Sequence, residues 1–408
     1  MPSSSSHTPI YLDTPDRVDA FLESIANTTV IALDTEGASF HRFVDRIYLL
    51  QLSTRDHTAI IDPLKLARPA GLGKLLEDPA VEVVFHDADY DLRLLQQDYD
   101  WNVRNIFDTR VAAQLLGLRA FGLAALLERY FGVKLDKKHQ RADWSMRPLT
   151  PGMLDYAAQD TIHLLELRDR LEAELRRLGR WDWAREEFAL LEGTRWRGDD
   201  EGNAFLRVKG ARDLTRRELA VLRELVPWRD AVARQLDRAT FRVVGNEQLL
   251  EIARQRPTTR DALAQIKGMP RGMIESRGQD VLDAVARGVA VADADLPRFP
   301  KAPRWDRDPE FDSRVNALKT VRDAAAARLD LDPGVLAARD RLEAVARRNP
   351  TTLEELLEIS ELRRWQVATL GEDFLKALKP HQKKIAASQA QSQSQSQPQP
   401  QADSPYRN

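Results

Sequence analysis

Cysteine is absent from all 408 residues, and histidine occurs only seven times. Disulfides, thiolate zinc centres and a cysteine nucleophile are therefore excluded, and a reducing compartment, the cytoplasm, is the expected setting. No window approaches 18 uninterrupted apolar residues, so neither a membrane-spanning helix nor a membrane partner is expected. The start, MPSSSSHTPIYLDTPD, lacks a basic region followed by an apolar stretch, and no secretory signal is expected from it. What remains is a chain with 43% apolar and 30% charged residues. That is enough for real cores under a charged surface, and its length suits two or three domains.

The net charge of −2 hides an uneven distribution. Residues 1–170 hold 19 Lys and Arg against 25 Asp and Glu, giving −6; residues 214–290 hold 14 against 10, giving +4; residues 311–380 hold 12 against 12. An acidic first part thus precedes a basic middle part.

Residues 1–170 read as α/β. The runs VIALDTEG (30–37), IYLLQLST (47–54) and TAIID (58–62) predict three close strands in an antiparallel meander, and VEVVFH (81–86) a further strand. Helices are predicted over 71–78, 87–99, 106–117, 123–132 and, as one long element with Pro151 in its first turn, 151–179. An aspartate near residue 87 should cap the second of these, and Asp108 should act as a cap in the third. Residues 171–213 read as a connecting helix and linker. From 214 onward strand signals nearly vanish, and a repeat emerges. IARQRPTTRDALAQI (252–266) matches VARRNPTTLEELLEI (345–359), with Pro257 and Pro350 separated by 93 residues. Two copies of one small helical domain are expected, over 214–290 and 311–380, joined by a proline- and charge-rich linker at 291–310. The Gln/Ser/Pro tail, 388–408, has almost nothing to bury and is expected to be disordered.

Three acidic elements carry the chemistry. Asp34 and Glu36 sit two apart on the first strand, where a period of two points both side chains to one face. Like charges so placed repel unless a cation or proton sits between them. All-oxygen ligation suits hard Mg2+ or Mn2+. The segment FHDADYDLRLL (85–95) offers Asp87, Asp89 and Asp91 after a strand, and spacing does not choose among them; Asp91, one turn into the helix, could project back toward the first strand. In YAAQD, Tyr156 and Asp160 lie at i and i+4 on one helix face. His86, at a strand end, reads as a structural group rather than a metal ligand. Lys134, Lys137, Lys138, Arg141 and Arg147 make the segment before the third element basic, as a phosphate backbone would require.

Together these elements resemble the DEDD exonuclease superfamily in its tyrosine subtype, and more closely the ribonuclease D family. ALDTEG is similar to the first motif; the His-x4-Asp of HDADYD is similar to the second and selects Asp91; YAAQDTIHLL is similar to the third; and LDKKHQRADWSMRPLTPGMLDYAAQD (135–160) resembles the stretch leading into it. The resemblance covers essentially all of 10–170. LTRRELAVLRELVPWRDAVARQLDRATFRVVGNEQLLEIARQRPTT (214–259) is similar to the helicase-and-RNase-D C-terminal (HRDC) domain, whereas the second copy lacks the Trp-Arg-Asp landmark.

The resemblance implies an α/β exonuclease domain, a ribonuclease H-like mixed sheet with flanking helices, followed by two small all-α domains. It implies 3'-5' exoribonuclease action by two-metal phosphodiester hydrolysis, releasing 5'-nucleotides from tRNA precursors and other structured RNAs. Asp34 would bridge two divalent ions, Mg2+ or Mn2+, about 3.5–4 Å apart. Glu36 and Asp160 would complete the site of the ion holding the attacking water, Asp91 would hold the other, and Tyr156 would orient the water or take its proton. Lys137, from the family's Leu-Asp-Lys, would contact substrate with Lys138 and Arg141. The net −6 of the first part suits a site that holds cations before phosphate. Two alternatives are a 3'-5' DNA exonuclease sharing the same motifs, and a nucleic-acid-binding protein with an idle exonuclease fold.

The charge difference between the helical copies gives a first prediction. Residues 214–290 should bind RNA more tightly than 311–380 when each isolated segment is titrated at fixed salt. Equal or reversed affinities would contradict it.

Overall fold

The structure, a computed structural model, describes residues 9–66, 68–136, 138–196, 198, 201–300 and 308–395. Six strands form one sheet: β1 (Ile10–Leu12), β2 (Val30–Glu36), β3 (Leu49–Ser53), β4 (Thr58–Ile61), β5 (Glu82–Phe85) and β6 (Ile106–Asp108), in the order β1-β4-β3-β2-β5-β6. The β2–β3 and β3–β4 pairs are antiparallel, and the β1–β4, β2–β5 and β5–β6 pairs are parallel, so the sheet is mixed. Alternation along the strands divides two cores. Ile31, Leu33, Leu50, Leu52, Ile61 and Val83 face one side. There they pack against α1 (Pro15–Ser24), α2 (Ala70–Glu77) and α3 (Asp89–Tyr99). Further along the chain come α4 (Thr109–Leu115), α5 (Leu123–Phe131) and α6 (Pro151–Ile162). The other face of the sheet offers Leu49 and Ile60, covered by Trp144 and by Met153, Ala157 and Ala158 of α6. Two adjacent alanines, both buried, let α6 lie close against β2, β3 and β4.

Next come α7 (Leu164–Arg177), α8 (Trp181–Leu191) and the short α9 (Ala204–Arg207). The first helical copy is α10 (Arg216–Leu236), α11 (Thr240–Val243), α12 (Asn246–Gln255), α13 (Arg260–Ala264) and α14 (Arg271–Ala290). The second is α15 (Phe311–Leu329), α16 (Pro333–Leu336), α17 (Arg339–Arg348), α18 (Leu353–Leu357) and α19 (Arg364–Gln395). From the end of α10 to the start of α14, every boundary recurs 93 residues later. So do the left-handed residues that end two helices, Asp237 with Asp330 and Arg256 with Asn349.

The chain falls into two compact units. The described residues within 1–109, 123–168 and 189–304 make one, holding the sheet and the first helical copy; those within 110–122, 169–188 and 305–408 make the other. In the second unit, Trp183 stacks on Trp365 at 4.6 Å, and Glu187 accepts the Trp365 indole N–H at 3.0 Å.

Several local expectations are corrected. The segment 106–117 opens as strand β6, and its helix starts only at Thr109. The single long helix over 151–179 is two, broken at His163. No aspartate of α3 caps its own helix, whose N-cap is Ala88 without a side-chain bond. Instead Asp108, buried at the end of β6, accepts the backbone N–H groups of Asp87 (3.3 Å) and Ala88 (2.8 Å). A carboxylate from the adjacent strand thus satisfies donors that a helix start leaves over. In the tail expected to be disordered, the backbone stays helical to Gln395, because extending a formed helix adds a hydrogen bond for each residue fixed; 396–408 lie outside the described residues.

Arg147 departs most from its expected role as a phosphate contact. Its guanidinium grips the fully buried Asp62 through Nε at 2.6 Å and Nη2 at 2.8 Å. It also donates to the carbonyls of Tyr48, Trp144 and Met146, each at 2.8 Å. Tyr11 donates its hydroxyl to Asp62 as well. This staple ties the segment before α6 to β1 and the end of β4. Removing one partner of a buried pair strands the other, so Asp62→Ala should cost about 3–5 kcal/mol in urea unfolding. A loss below about 1 kcal/mol would mark the pair as an ordinary surface ion pair.

Candidate active site

Strand β2 supplies Asp34 and Glu36 on one face, and α6, lying across that face, supplies Asp160. One carboxylate oxygen from each of these three residues lies within 4.8 Å of the others. The helix is set in register by hydroxyls. Thr150 caps its start by accepting Met153 N–H at 3.3 Å, and Thr161, next to Asp160, shares a 2.8 Å hydrogen bond with Ser53 of β3. Ser53 is in turn bonded to Thr58 at 2.9 Å.

Asp91 stands beside this cluster. Strand β5 ends its pairing alongside Ala32, and beyond that point the Thr35 N–H donates to Asp91 Oδ1 at 3.1 Å in place of another strand. The Thr35 hydroxyl donates to the same oxygen at 2.5 Å. Thr35 is the residue that sequence reading passed over. It lies between the two acids, but its partner comes from 56 positions away, which no local signal reveals. Gly37 follows Glu36 because the Tyr90 hydroxyl approaches so closely that an added Cβ would sit 2.3 Å from it.

The electrostatics are those of acids crowded without a cation. Burial, then Asp160, raises the Asp34 carboxyl well above the usual range. Burial, then Asp34, Asp160 and Asp91, does the same to Glu36. Asp91 is raised by burial and then Asp34, against the Thr35 hydrogen bonds that favour its charge. Burial and Asp91 push Asp160 up to about 7. Every charge acting on these four acids is another carboxylate. Such a donor set, all oxygen and electrically unbalanced, fits a hard divalent cation.

Tyr156 flanks the acids, half-buried between Trp144 and His139, with both ring centroids 6.0 Å away. Burial first, then Asp160, Glu36 and Asp34, raises its phenol above the ordinary value. His139 is a second neighbour that the sequence did not single out; its place in KKHQ hides a ring set against the tyrosine. His86 is held by Thr109 at 2.9 Å, in keeping with a structural role. Lys138 and Arg141 are exposed, as is Lys134. Lys137 lies outside the described residues.

The family described as 3'-5' exonuclease matches residues 9–176, and the HRDC domain matches 218–285 and 312–378. Ribonuclease D of Gluconacetobacter diazotrophicus is 32% identical over 374 residues, covering 91% of this chain and 93% of that protein. Ribonuclease D of Haemophilus influenzae is 30% identical, covering 77% of this chain and 79% of that protein. Among solved structures, Escherichia coli RNase D, an exoribonuclease involved in structured RNA processing, aligns with a TM-score of 0.69 at 26% identity, over 91% of this chain and 99% of its own. The catalytic core of RRP6 from Trypanosoma brucei aligns with a TM-score of 0.63 at 30% identity, over 71% and 83%.

The raised acids predict a pH signature for metal-free protein. Unfolded, Asp160 ionises near 3.8, and folded near 7. In that window the unfolded chain has already released a proton that the native state retains, so stability falls as pH rises. Asp160→Asn removes this penalty. In scanning calorimetry without divalent ions, the variant's melting temperature should gain on wild type progressively from about pH 4 to about pH 7. A gap that is constant or shrinks over that range would contradict the crowding.

Proposed function

The chain belongs to the ribonuclease D family of metal-dependent 3'-5' exoribonucleases, and from that premise we propose that two divalent cations, Mg2+ or Mn2+, work in the acidic cluster on the 3' ends of structured RNAs such as tRNA precursors. The observation that carries the site is the meeting of three carboxylates from β2 and α6 within 4.8 Å. Asp34, Glu36 and Asp160 would hold one cation, and Asp34 with Asp91 the other. Cations so held supply an ionised water at neutral pH and neutralise charge on the phosphate.

The chain's own groups do the rest. Thr35 fixes one oxygen of Asp91 through two hydrogen bonds, so that carboxylate has a single orientation before substrate arrives. Tyr156 acts as a donor rather than a base. Burial is the first cause of its raised ionisation, and burial persists whatever charge the carboxylates carry. Its hydroxyl therefore stays protonated at neutral pH and orients the attacking water. Lys138 and Arg141, exposed on the segment leading to α6, would meet the phosphate backbone, as would Lys137. The E. coli relative is an exoribonuclease involved in structured RNA processing, and with the two HRDC matches this makes structured RNA the natural reading here. The cytoplasm is the compartment we assign, since the chain has no cysteine and, among the described residues, no helix long and apolar enough to cross a membrane.

The test is degradation of labelled RNA and DNA oligomers with Mg2+ or Mn2+. RNA should shorten from its 3' end and release 5'-nucleotides, in preference to DNA. Asp34→Asn should lose more than about 10³-fold in rate and Tyr156→Phe about 10²-fold, the scale of removing a preorganised polar group. Full activity in Asp34→Asn would refute the site.

A further inference from the structure

Within the first unit, the loop that leaves β2 is fastened to the first helical copy. The carbonyl of His41 accepts Ala239 N–H at 3.2 Å. Asp237, the left-handed residue ending α10, pairs with Arg42 at 3.2 Å and accepts Phe43 N–H at 3.4 Å. The Arg234 guanidinium lies 5.2 Å from the Phe43 ring. These contacts account for the attachment, and at their edge stands something they do not need. Phe40 and Phe241 meet with ring centroids 5.0 Å apart, yet remain 43% and 48% exposed. Aromatic rings serving only to join two domains would be covered by the join.

Two guanidinium groups gather on the same spot. Arg141 lies 5.6 Å and Arg242 5.2 Å from the centroid of Phe40. Among the described residues neither is paired with a carboxylate, whereas the nearby Arg42 pairs with both Asp143 and Asp237. Exposed rings beside unneutralised guanidinium groups are what unpaired nucleic acid requires: faces for bases to stack on, and positive charge for phosphates. The location suits this. Phe40 is four residues beyond Glu36, so the platform starts no more than about 14 Å from the acidic cluster. The second helical copy lacks it: the 93-residue offset places Gly334 where the first copy has Phe241, and Val335 where it has Arg242.

We propose that Phe241 and Arg242 of the first helical copy, together with Phe40 and Arg141, form a stacking platform for the unpaired 3' stretch of the RNA substrate, just upstream of the bond being cut. This rests on the exoribonuclease reading and adds a contribution of the helical copy to substrate grip. It also explains why the two copies differ in more than net charge.

The test is chain-length dependence in the full-length protein. KM is measured with Mn2+ on single-stranded RNA from two to twelve nucleotides. In wild type, KM should fall about tenfold once the chain is long enough to reach the platform, the effect of one stacked base. Phe241→Ala should abolish that gain, Phe241→Trp should restore it, and Arg242→Ala should reduce it and flatten its salt dependence. Circular dichroism checks folding; should Phe241→Ala not fold, the exposed Arg242→Ala and Phe241→Trp still decide. A wild type without a length gain, or variants that keep it in full, would overturn the platform. Absence of any RNA cleavage by wild type would instead remove the exoribonuclease reading.

Discussion

Three carboxylates forced within 4.8 Å of one another are an arrangement that a chain does not adopt for its own stability. Burial and mutual repulsion both oppose it, and the raised ionisation of all three, together with Asp91, records that opposition. A structure that keeps such a cluster must anchor it from outside. Here the anchors are neutral or oppositely charged: the Thr161–Ser53–Thr58 hydroxyls that register α6 on the sheet, the two Thr35 hydrogen bonds that hold Asp91, and the Asp62–Arg147 staple that delivers the chain to α6. The imbalance is what suits the cluster to a hard cation, which relieves it while leaving the acids ionised.

The same economy explains the fold around the site. The β2–β3–β4 meander presents one apolar face to α1–α3 and the other to α6, so the acids ride on a strand buried on both sides. Ala157 and Ala158 allow the approach of α6, and Asp108 closes the start of α3 from the neighbouring strand. Each device replaces a local solution with a partner from far along the chain.

That substitution decides what could be read in advance. The pairing of Asp34 with Glu36 follows from the two-residue strand period, and that of Tyr156 with Asp160 from the helical turn; both need only neighbours in sequence. The helical repeat was equally legible, since a fixed offset of 93 residues is a property of the string itself. Spacing does not separate Asp91 from Asp87 and Asp89, and only family resemblance selects it, because its contact with Thr35 comes from 56 residues earlier. Strands β1 and β6, three residues each, are too short for a periodic signal and exist through pairing with β4 and β5. Arg147 looked like a member of a basic loop because nothing in its neighbourhood announces Asp62, 85 positions away.

A cluster of this kind should hold cations. Calorimetric titration of Mn2+ into metal-free protein at neutral pH addresses it directly. Wild type should give a saturable heat approaching two ions per chain, as the proposed two-metal site demands, and Asp34→Asn should lose it. An unchanged isotherm in Asp34→Asn, or no saturable binding in wild type, would contradict it.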